Sequence, residues 1–200
     1  MTSVNRNQNF ILFQGELYYK PKRITNHVWV GSRATAADPV FLKKNDIKFI
    51  VNCSKDIPKY TDIPMLRVPV NDSAQDAEKM GKFLKMAALA IRDVTRYNGN
   101  VLVHCYAGMN RSATVTAAYL MTIKGLTAQQ AIDIIKKKKP ETFTPMNFRP
   151  ALKSYEETLK KNGVIGKKPA TKTVNKTVNK TAKKEPFRNA KKNTVVKKKR

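Results

Sequence analysis

The sequence predicts an α/β domain with a central, mostly parallel mixed sheet of about four to five strands and helices on both faces. Short β-branched, apolar segments alternate along the chain with longer segments whose apolar residues follow helical spacing. The composition agrees, because 41% of the 200 residues are apolar, which is ordinary for a chain that buries a core.

Four segments have the pattern of buried strands: residues 27–30, Ile47–Asn52, 65–70 and 101–104. The first, His-Val-Trp-Val, is ended by Gly31. The second, Ile-Lys-Phe-Ile-Val-Asn, is apolar almost throughout, as are parallel strands that are buried on both faces. Because helices connect these segments, we expect them to pair mainly in parallel.

Helical spacing and end signals predict five helices, over residues 38–44, 73–97, 112–124, 127–138 and 145–161. Ser73 followed by Asp76 is close to a capping box at the start of the longest helix. Thr127 and Gln130 complete such a box at the start of the fourth. Pro150 lies inside the last segment and predicts either a kink or a later start.

These elements divide the chain into an N-terminal arm (residues 1–23), one folded domain (24–161) and a Lys-rich tail (162–200). The arm is polar and then briefly apolar, and we expect it to pack loosely. The tail consists largely of Lys, Thr, Asn and Val. Since such a segment buries too little apolar area to offset its ordering entropy, we predict that it is disordered.

The formal net charge is +26, and residues 160–200 hold 16 Lys and Arg against one acid, Glu185. A basic body favours an anionic substrate, and a basic tail favours non-specific contact with nucleic acid or an acidic surface. The two cysteines are too few for a disulfide scaffold. We therefore expect an intracellular protein, in the cytoplasm or nucleus, or in a host cell or virion if it is viral. No apolar segment approaches the length of a membrane span.

The most informative segment is residues 101–112, Val-Leu-Val-His-Cys-Tyr-Ala-Gly-Met-Asn-Arg-Ser. It places Cys105 at the end of a buried strand and Arg111 six residues later, where a helix begins. A connection of this kind can point main-chain N–H groups inward, beside the positive end of the helix, and so cradle a phosphate. The residues expected to bind phosphate are Tyr106, Ala107, Gly108, Met109, Asn110 and Arg111.

The residue types in this segment indicate nucleophilic catalysis. The helix terminus and Arg111 favour the thiolate of Cys105, which would attack phosphorus and form a phosphocysteine. The planar guanidinium of Arg111 can hold two phosphate oxygens. Ser112 is expected to donate a hydrogen bond to the sulfur as it departs, and His104 to support the loop by hydrogen bonding.

A leaving alkoxide or phenoxide also needs a proton. We assign the general acid to Asp72, which follows the third predicted strand and lies where a loop could reach the cradle. The alternative for Asp72 is a turn or capping role before the long helix. Asp76 is the nearest rival acid.

The pattern His-Cys-x-x-Gly-x-x-Arg-Ser resembles the signature of the cysteine-based protein tyrosine phosphatase superfamily, and residues 113–121 resemble its small dual-specificity branch. Ala107 with Asn110 resembles the poxvirus-type enzymes, and Asn71-Asp72 matches the general-acid position. The C-terminal helix pattern is matched by Pro145, Asn147, Phe148 and Leu152. The resemblance spans about residues 24–160. It implies metal-independent hydrolysis of phosphotyrosine and phosphoserine/threonine in phosphoproteins, in a shallow pocket and without a cofactor.

Two other functions remain open. An RNA 5′-phosphatase of the same superfamily would suit the basic chain and Asn110, although those enzymes typically carry Arg-Thr-Gly where this chain has Arg-Ser-Ala. A non-catalytic protein that binds phosphate or nucleic acid is the other.

Cys53 most simply packs in the core. The resemblance also raises the hypothesis that it traps oxidised Cys105 as a disulfide. Two cysteines and two histidines give no metal-site spacing.

Overall fold

The computed structural model describes residues 9–166. The strands are β1 (Phe10–Phe13), β2 (Glu16–Tyr19), β3 (Lys22–Arg23), β4 (Val28–Gly31), β5 (Ile47–Asn52), β6 (Met65–Arg67) and β7 (Asn100–His104). The helices are α1 (Arg33–Ala36), α2 (Pro39–Lys44), α3 (Ala77–Thr95), α4 (Arg111–Lys124), α5 (Ala128–Lys138) and α6 (Arg149–Lys161). Within these residues, none of the helices has the length and apolar character needed to cross a membrane.

Five strands form the central sheet in the order β3-β4-β7-β5-β6. All neighbours are parallel except β3, which runs antiparallel to β4. The predicted mixed, mostly parallel sheet is therefore confirmed. Strand β7 lies at its centre, so the segment that leaves its carboxyl end emerges between β4 and β5. Ligand sites of parallel sheets typically lie at this edge.

Side chains of β7 alternate between two cores, which shows that both faces of the sheet are covered. Val101 and Val103 belong to the larger core with residues of α3, α4, α5 and α6. Leu102 faces the smaller core with Ile50 and with Leu42 of α2. This period of two is the alternation that a buried strand requires.

The N-terminal arm contains secondary structure that the sequence analysis does not predict. Strands β1 and β2 form an antiparallel hairpin, in which Phe10 pairs with Tyr19. Gln14 and Gly15 make the turn with positive φ angles of 49° and 79°, the conformation that suits the twist of a two-residue hairpin. Two apolar segments flanking Gln-Gly were the sequence signal for this element. Residues 1–8 lie outside the described part.

Several element boundaries also differ from prediction. The last helix begins at Arg149 with Pro150 in its first turn, so the later start is correct. The third predicted strand ends at Arg67, shortly before Pro69, which lacks an N–H for the ladder. The long helix is preceded by a 3₁₀ turn over Ala74–Asp76, and α1 was not predicted. Most of the predicted tail, from residue 167 onward, lies outside the described residues, and the division into domains stays a prediction.

Candidate active site

Residues 105–110 connect the central strand β7 directly to α4, and we call residues 105–111 the phosphate loop. Gly108 adopts a φ of +74°, and a methyl group there would lie 2.6 Å from both the carbonyl carbon and the oxygen of Gly31. The loop therefore packs against the end of β4 so closely that only glycine fits. On the other side, Phe143 N–H donates to the Met109 carbonyl at 2.8 Å.

Cys105 is fully buried at the base of this loop. Its Sγ lies 3.4 Å from the hydroxyl oxygen of Ser112, which is also fully buried and belongs to the first turn of α4. The sulfur therefore has a hydroxyl neighbour beside the N-terminus of a 14-residue helix. Both features stabilise negative charge at that position.

Arg111 extends toward the segment that follows β6. Its Nη1 donates to the Val70 carbonyl at 3.3 Å, and its Nε lies 3.4 Å from Asp72 Oδ2. Both distances are long for charge-assisted contacts. The guanidinium and the predicted acid thus meet at the opening of the phosphate loop.

The two carboxylate oxygens of Asp72 have different partners. Oδ1 accepts from Asn110 Nδ2 at 2.6 Å and from Asn147 Nδ2 at 3.2 Å, whereas Oδ2 faces Arg111. Asn147 Nδ2 also donates to the main-chain oxygen of Asp72 at 3.2 Å. Asp76 is engaged elsewhere, since its Oδ2 accepts from Asn71 N–H at 2.6 Å. Of these two acids, Asp72 is the one that the structure brings to the loop.

A family model of the dual specificity phosphatase catalytic domain matches residues 28–158. The chain belongs to the dual specificity phosphatase family. It is 34% identical over 159 residues to human dual specificity protein phosphatase 16, covering 78% of this chain and 24% of that protein. It is 32% identical over 146 residues to the tyrosine-protein phosphatase vhp-1 of Caenorhabditis elegans, covering 71% of this chain and 22% of that protein. The chain therefore spans about a quarter of the length of these curated relatives.

Solved structures of family members have the same fold. A mouse putative dual specificity phosphatase, crystallised with zinc tungstate, superposes with a TM-score of 0.68 at 29% identity, covering 74% of this chain and 93% of that one. Human DUSP28 superposes with a TM-score of 0.66 at 29% identity, covering 70% of this chain and 95% of that one. These comparisons confirm both the predicted fold class and the predicted superfamily.

His104 is the last residue of β7 and lies directly before the phosphate loop. It is 1% exposed, and burial lowers the pKa of its imidazole to about 4. The ring is therefore neutral at physiological pH. Its main-chain oxygen accepts from Cys53 N–H at 2.7 Å, which ties the start of the loop to the end of β5. Among the described residues, Nδ1 of the ring has no hydrogen-bond partner, so the predicted support of the loop by this side chain stays a prediction.

Cys53 lies beside Cys105 at the ends of neighbouring parallel strands, because Asn52 pairs with His104 in the register of β5 and β7. Both thiols are buried and free. Burial raises the pKa of the Cys53 thiol well above its usual value, which makes it a poor spontaneous nucleophile. The idea that it traps oxidised Cys105 stays a hypothesis. Among residues 9–166, no three metal-ligating side chains are grouped.

Sequence reasoning missed two sets of residues around the loop. The sequence places Asn147 in the C-terminal helix pattern but does not predict its contact with Asp72. On the opposite side, the β1–β2 hairpin reaches the loop through Glu16, whose carboxylate accepts from the Tyr106 hydroxyl at 2.7 and 2.9 Å. Neither contact has a local sequence signal, because the partners are 75 and 90 residues apart.

Proposed function

We propose that this chain is a protein phosphatase that hydrolyses phosphotyrosine and phosphoserine/threonine through a phosphocysteine intermediate. One observation carries the proposal. The buried thiol of Cys105 lies at the N-terminus of α4, and at the other end of the same loop the guanidinium of Arg111 lies 3.4 Å from the carboxylate of Asp72. A nucleophile, an anion-binding group and a proton donor are the parts that phosphate monoester hydrolysis needs.

In the first step, the Cys105 thiolate attacks phosphorus while the bond to the leaving oxygen breaks. Main-chain N–H groups of the loop and the guanidinium of Arg111 bind the nonbridging oxygens, whose charge they stabilise in the transition state. Asp72 gives its proton to the leaving oxygen, so that a neutral phenol or alcohol departs. The products are the dephosphorylated side chain and a phosphocysteine.

The contacts of Asp72 indicate which of its oxygens carries that proton. Oδ1 already accepts from the amides of Asn110 and Asn147, and an oxygen that accepts N–H groups is poorly placed to carry a proton as well. Oδ2 faces Arg111, the residue that binds the phosphate. Within the described part of the chain Oδ2 accepts no hydrogen bond, so it is the oxygen that we propose delivers the proton.

In the second step, water attacks the phosphocysteine and gives a proton to the Asp72 carboxylate. The P–S bond breaks, inorganic phosphate leaves, and the thiolate of Cys105 is regenerated. Ser112 donates its hydroxyl hydrogen to the departing sulfur, across the observed separation of 3.4 Å. Such a donor lowers the energy of the sulfur anion.

The variant Cys105→Ser tests this mechanism. We expect it to lose turnover of a phosphotyrosine peptide to the detection limit while it retains phosphate binding, because the cradle is unchanged and only the nucleophile is lost. Cys53→Ser, the other buried cysteine, is the matched control and should retain turnover. Turnover by Cys105→Ser at the rate of the unmodified chain would refute the proposal. Including RNA with a 5′-triphosphate as a substrate tests the alternative function.

The partners and the location are proposals that rest on separate arguments. We propose phosphoproteins as substrates and, for the basic residues beyond 160, non-specific contact with nucleic acid or an acidic surface. An intracellular location stays a prediction based on cysteine usage. Catalysis without a cofactor likewise stays a prediction.

A further inference from the structure

The β1–β2 hairpin is anchored on the first residue of the phosphate loop that follows the nucleophile. Tyr106 comes directly after Cys105, and its hydroxyl donates to both carboxylate oxygens of Glu16. Its main-chain oxygen accepts from Arg33 N–H at 3.0 Å. The ring is therefore held at its hydroxyl end by the hairpin and at its main-chain end by α1.

Arg33 joins the hairpin to the loop. Its guanidinium lies 4.6 Å from the centre of the Tyr106 ring and 5.6 Å from the centres of the Phe13 and Tyr18 rings. Its Nε donates to the Tyr18 hydroxyl at 2.6 Å, and it forms an ion pair with Glu16 at 3.6 Å. Because its charge is balanced within this cluster, Arg33 acts as packing between aromatic rings and not as a free phosphate ligand.

The exposure of these rings indicates which of them meets solvent. Tyr18 is 4% exposed, whereas Tyr106 is 40% exposed although its orientation is fixed at both ends. The other face of the hairpin carries Leu12 and Leu17, paired across the two strands and about 70% exposed. Tyr106, which the inner face of the hairpin holds, is therefore an oriented and accessible aromatic ring next to the nucleophile.

The mouth of the phosphate loop thus has two unlike sides. Asp72 lies over the end of the loop, where it contacts Asn110 and Arg111, and the hairpin lies over its start at Tyr106. We expect a substrate side chain that delivers its phosphate to Cys105 to pass between these sides. Phosphotyrosine places an aryl ring there, whereas phosphothreonine places its own short side chain and main chain.

We propose that Tyr106, held by the inner face of the hairpin, forms an aromatic wall of the substrate mouth, and that this wall favours phosphotyrosine over phosphothreonine. The inference rests on the proposed phosphatase activity and adds a preference among its substrates. An aryl ring gains from packing against an oriented aromatic ring by an amount that corresponds to about two- to tenfold in kcat/KM. Orientation in advance removes the entropic cost of ordering the wall on binding.

The test compares two peptides of identical sequence, one with phosphotyrosine and one with phosphothreonine, on the full chain. Glu16→Ala removes the acceptor of the Tyr106 hydroxyl and the partner of Arg33. We expect kcat/KM for the phosphotyrosine peptide to fall about two- to tenfold, while that for the phosphothreonine peptide stays within about twofold. Glu16→Gln retains an acceptor oxygen and should restore most of the preference.

Leu17→Ala is the matched control, since it alters the next residue on the outward face and should leave both values unchanged. If the hairpin detaches in Glu16→Ala, the preference should still be lost, so the variant remains informative. Equal losses of kcat/KM for both peptides, or no loss for either, would overturn the proposal that Tyr106 forms an aromatic wall. If the unmodified chain hydrolysed neither peptide, the proposed phosphatase activity would fail instead.

Discussion

The two ends of the phosphate loop are held by different kinds of contact. At its start, Tyr106 is fixed by Arg33 and Glu16 through short hydrogen bonds and ring packing. At its end, Arg111 makes contacts of 3.3 and 3.4 Å with Val70 and Asp72. At the start of the loop, the charges of Arg33 and Glu16 are balanced within one cluster. At its end, Asn110 holds Asp72 at 2.6 Å, but the guanidinium of Arg111 makes only the two long contacts.

This difference separates residues that shape the loop from residues that take part in the reaction. Groups that only shape a site gain from dense packing. Groups that bind an anion or transfer a proton must exchange one partner for another during the reaction. The side chain of Asp72 is 35% exposed and that of Arg111 is 11% exposed, so both can reach a substrate. The experiments below perturb one end or the other.

The largest effect is expected at the acid end. Asp72→Asn removes the transferable proton but preserves the side-chain shape, and should reduce kcat on a phosphothreonine peptide by about 10²- to 10⁴-fold. The loss should be smaller for an aryl phosphate whose leaving group is acidic, since that group departs without protonation. Steady-state kinetics on both substrates measure the difference.

Asp76→Asn is the matched control, because Asp76 binds Asn71 N–H and not the loop. It should leave kcat within about twofold, an amount small against the effects of general acids. A loss equal to that of Asp72→Asn would show that the wrong carboxylate has been assigned to proton transfer.

The next effect is expected where the loop packs on β4. Gly108→Ala places a methyl group 2.6 Å from the Gly31 carbonyl, so the loop must shift. Displacement of a positioning group by about 1 Å can cost about 10²-fold in rate. We expect kcat/KM for a small aryl phosphate to fall by up to this amount while the chain remains folded by circular dichroism.

Gly15→Ala in the hairpin turn is the matched control for Gly108→Ala, because it introduces backbone strain without a steric clash. Gly15 has a φ of +79° but no atom within 4 Å of an added methyl group. Its replacement carries the conformational penalty without the collision, so it should cost about 1 kcal/mol of stability and leave turnover nearly intact. Equal losses of activity from the two alanine variants would contradict a specific contact between the loop and β4.

The last expected effect concerns folding stability, depends on pH and leaves the chemistry of the loop untouched. Burial depresses the pKa of His104 from 6.5 to about 4, so the unfolded chain binds more protons than the folded one between these values. Stability is thus fully present above about pH 6.5 and is lost as the pH falls toward 4, by about 3 kcal/mol. Urea denaturation across this range should show the loss.

His104→Gln should flatten this pH dependence, whereas His27→Gln should retain it, since His104 is still present. A slope that is unchanged by His104→Gln would mean that another group controls acid stability.

The order of strands and helices was predictable because it depends on local periodicity. Strand β5 is apolar except at Lys48 and Asn52, and the capping box of Thr127 and Gln130 is present at the start of α5. The hairpin was missed, although Gln14-Gly15 was a visible turn signal, because its strands are only four residues long. Such short strands are stable only through what they pack against.

The sequence by itself determined that a cysteine and an arginine share one loop between a buried strand and a helix. That follows from residue types and spacing over about a dozen neighbours, where chain connectivity limits the geometry. Only the tertiary structure decided that Asn110 meets Asp72 across 38 residues and that Glu16 meets Tyr106 across 90. Such contacts depend on how separate elements pack against the sheet, and no local pattern along the chain encodes the distance between them.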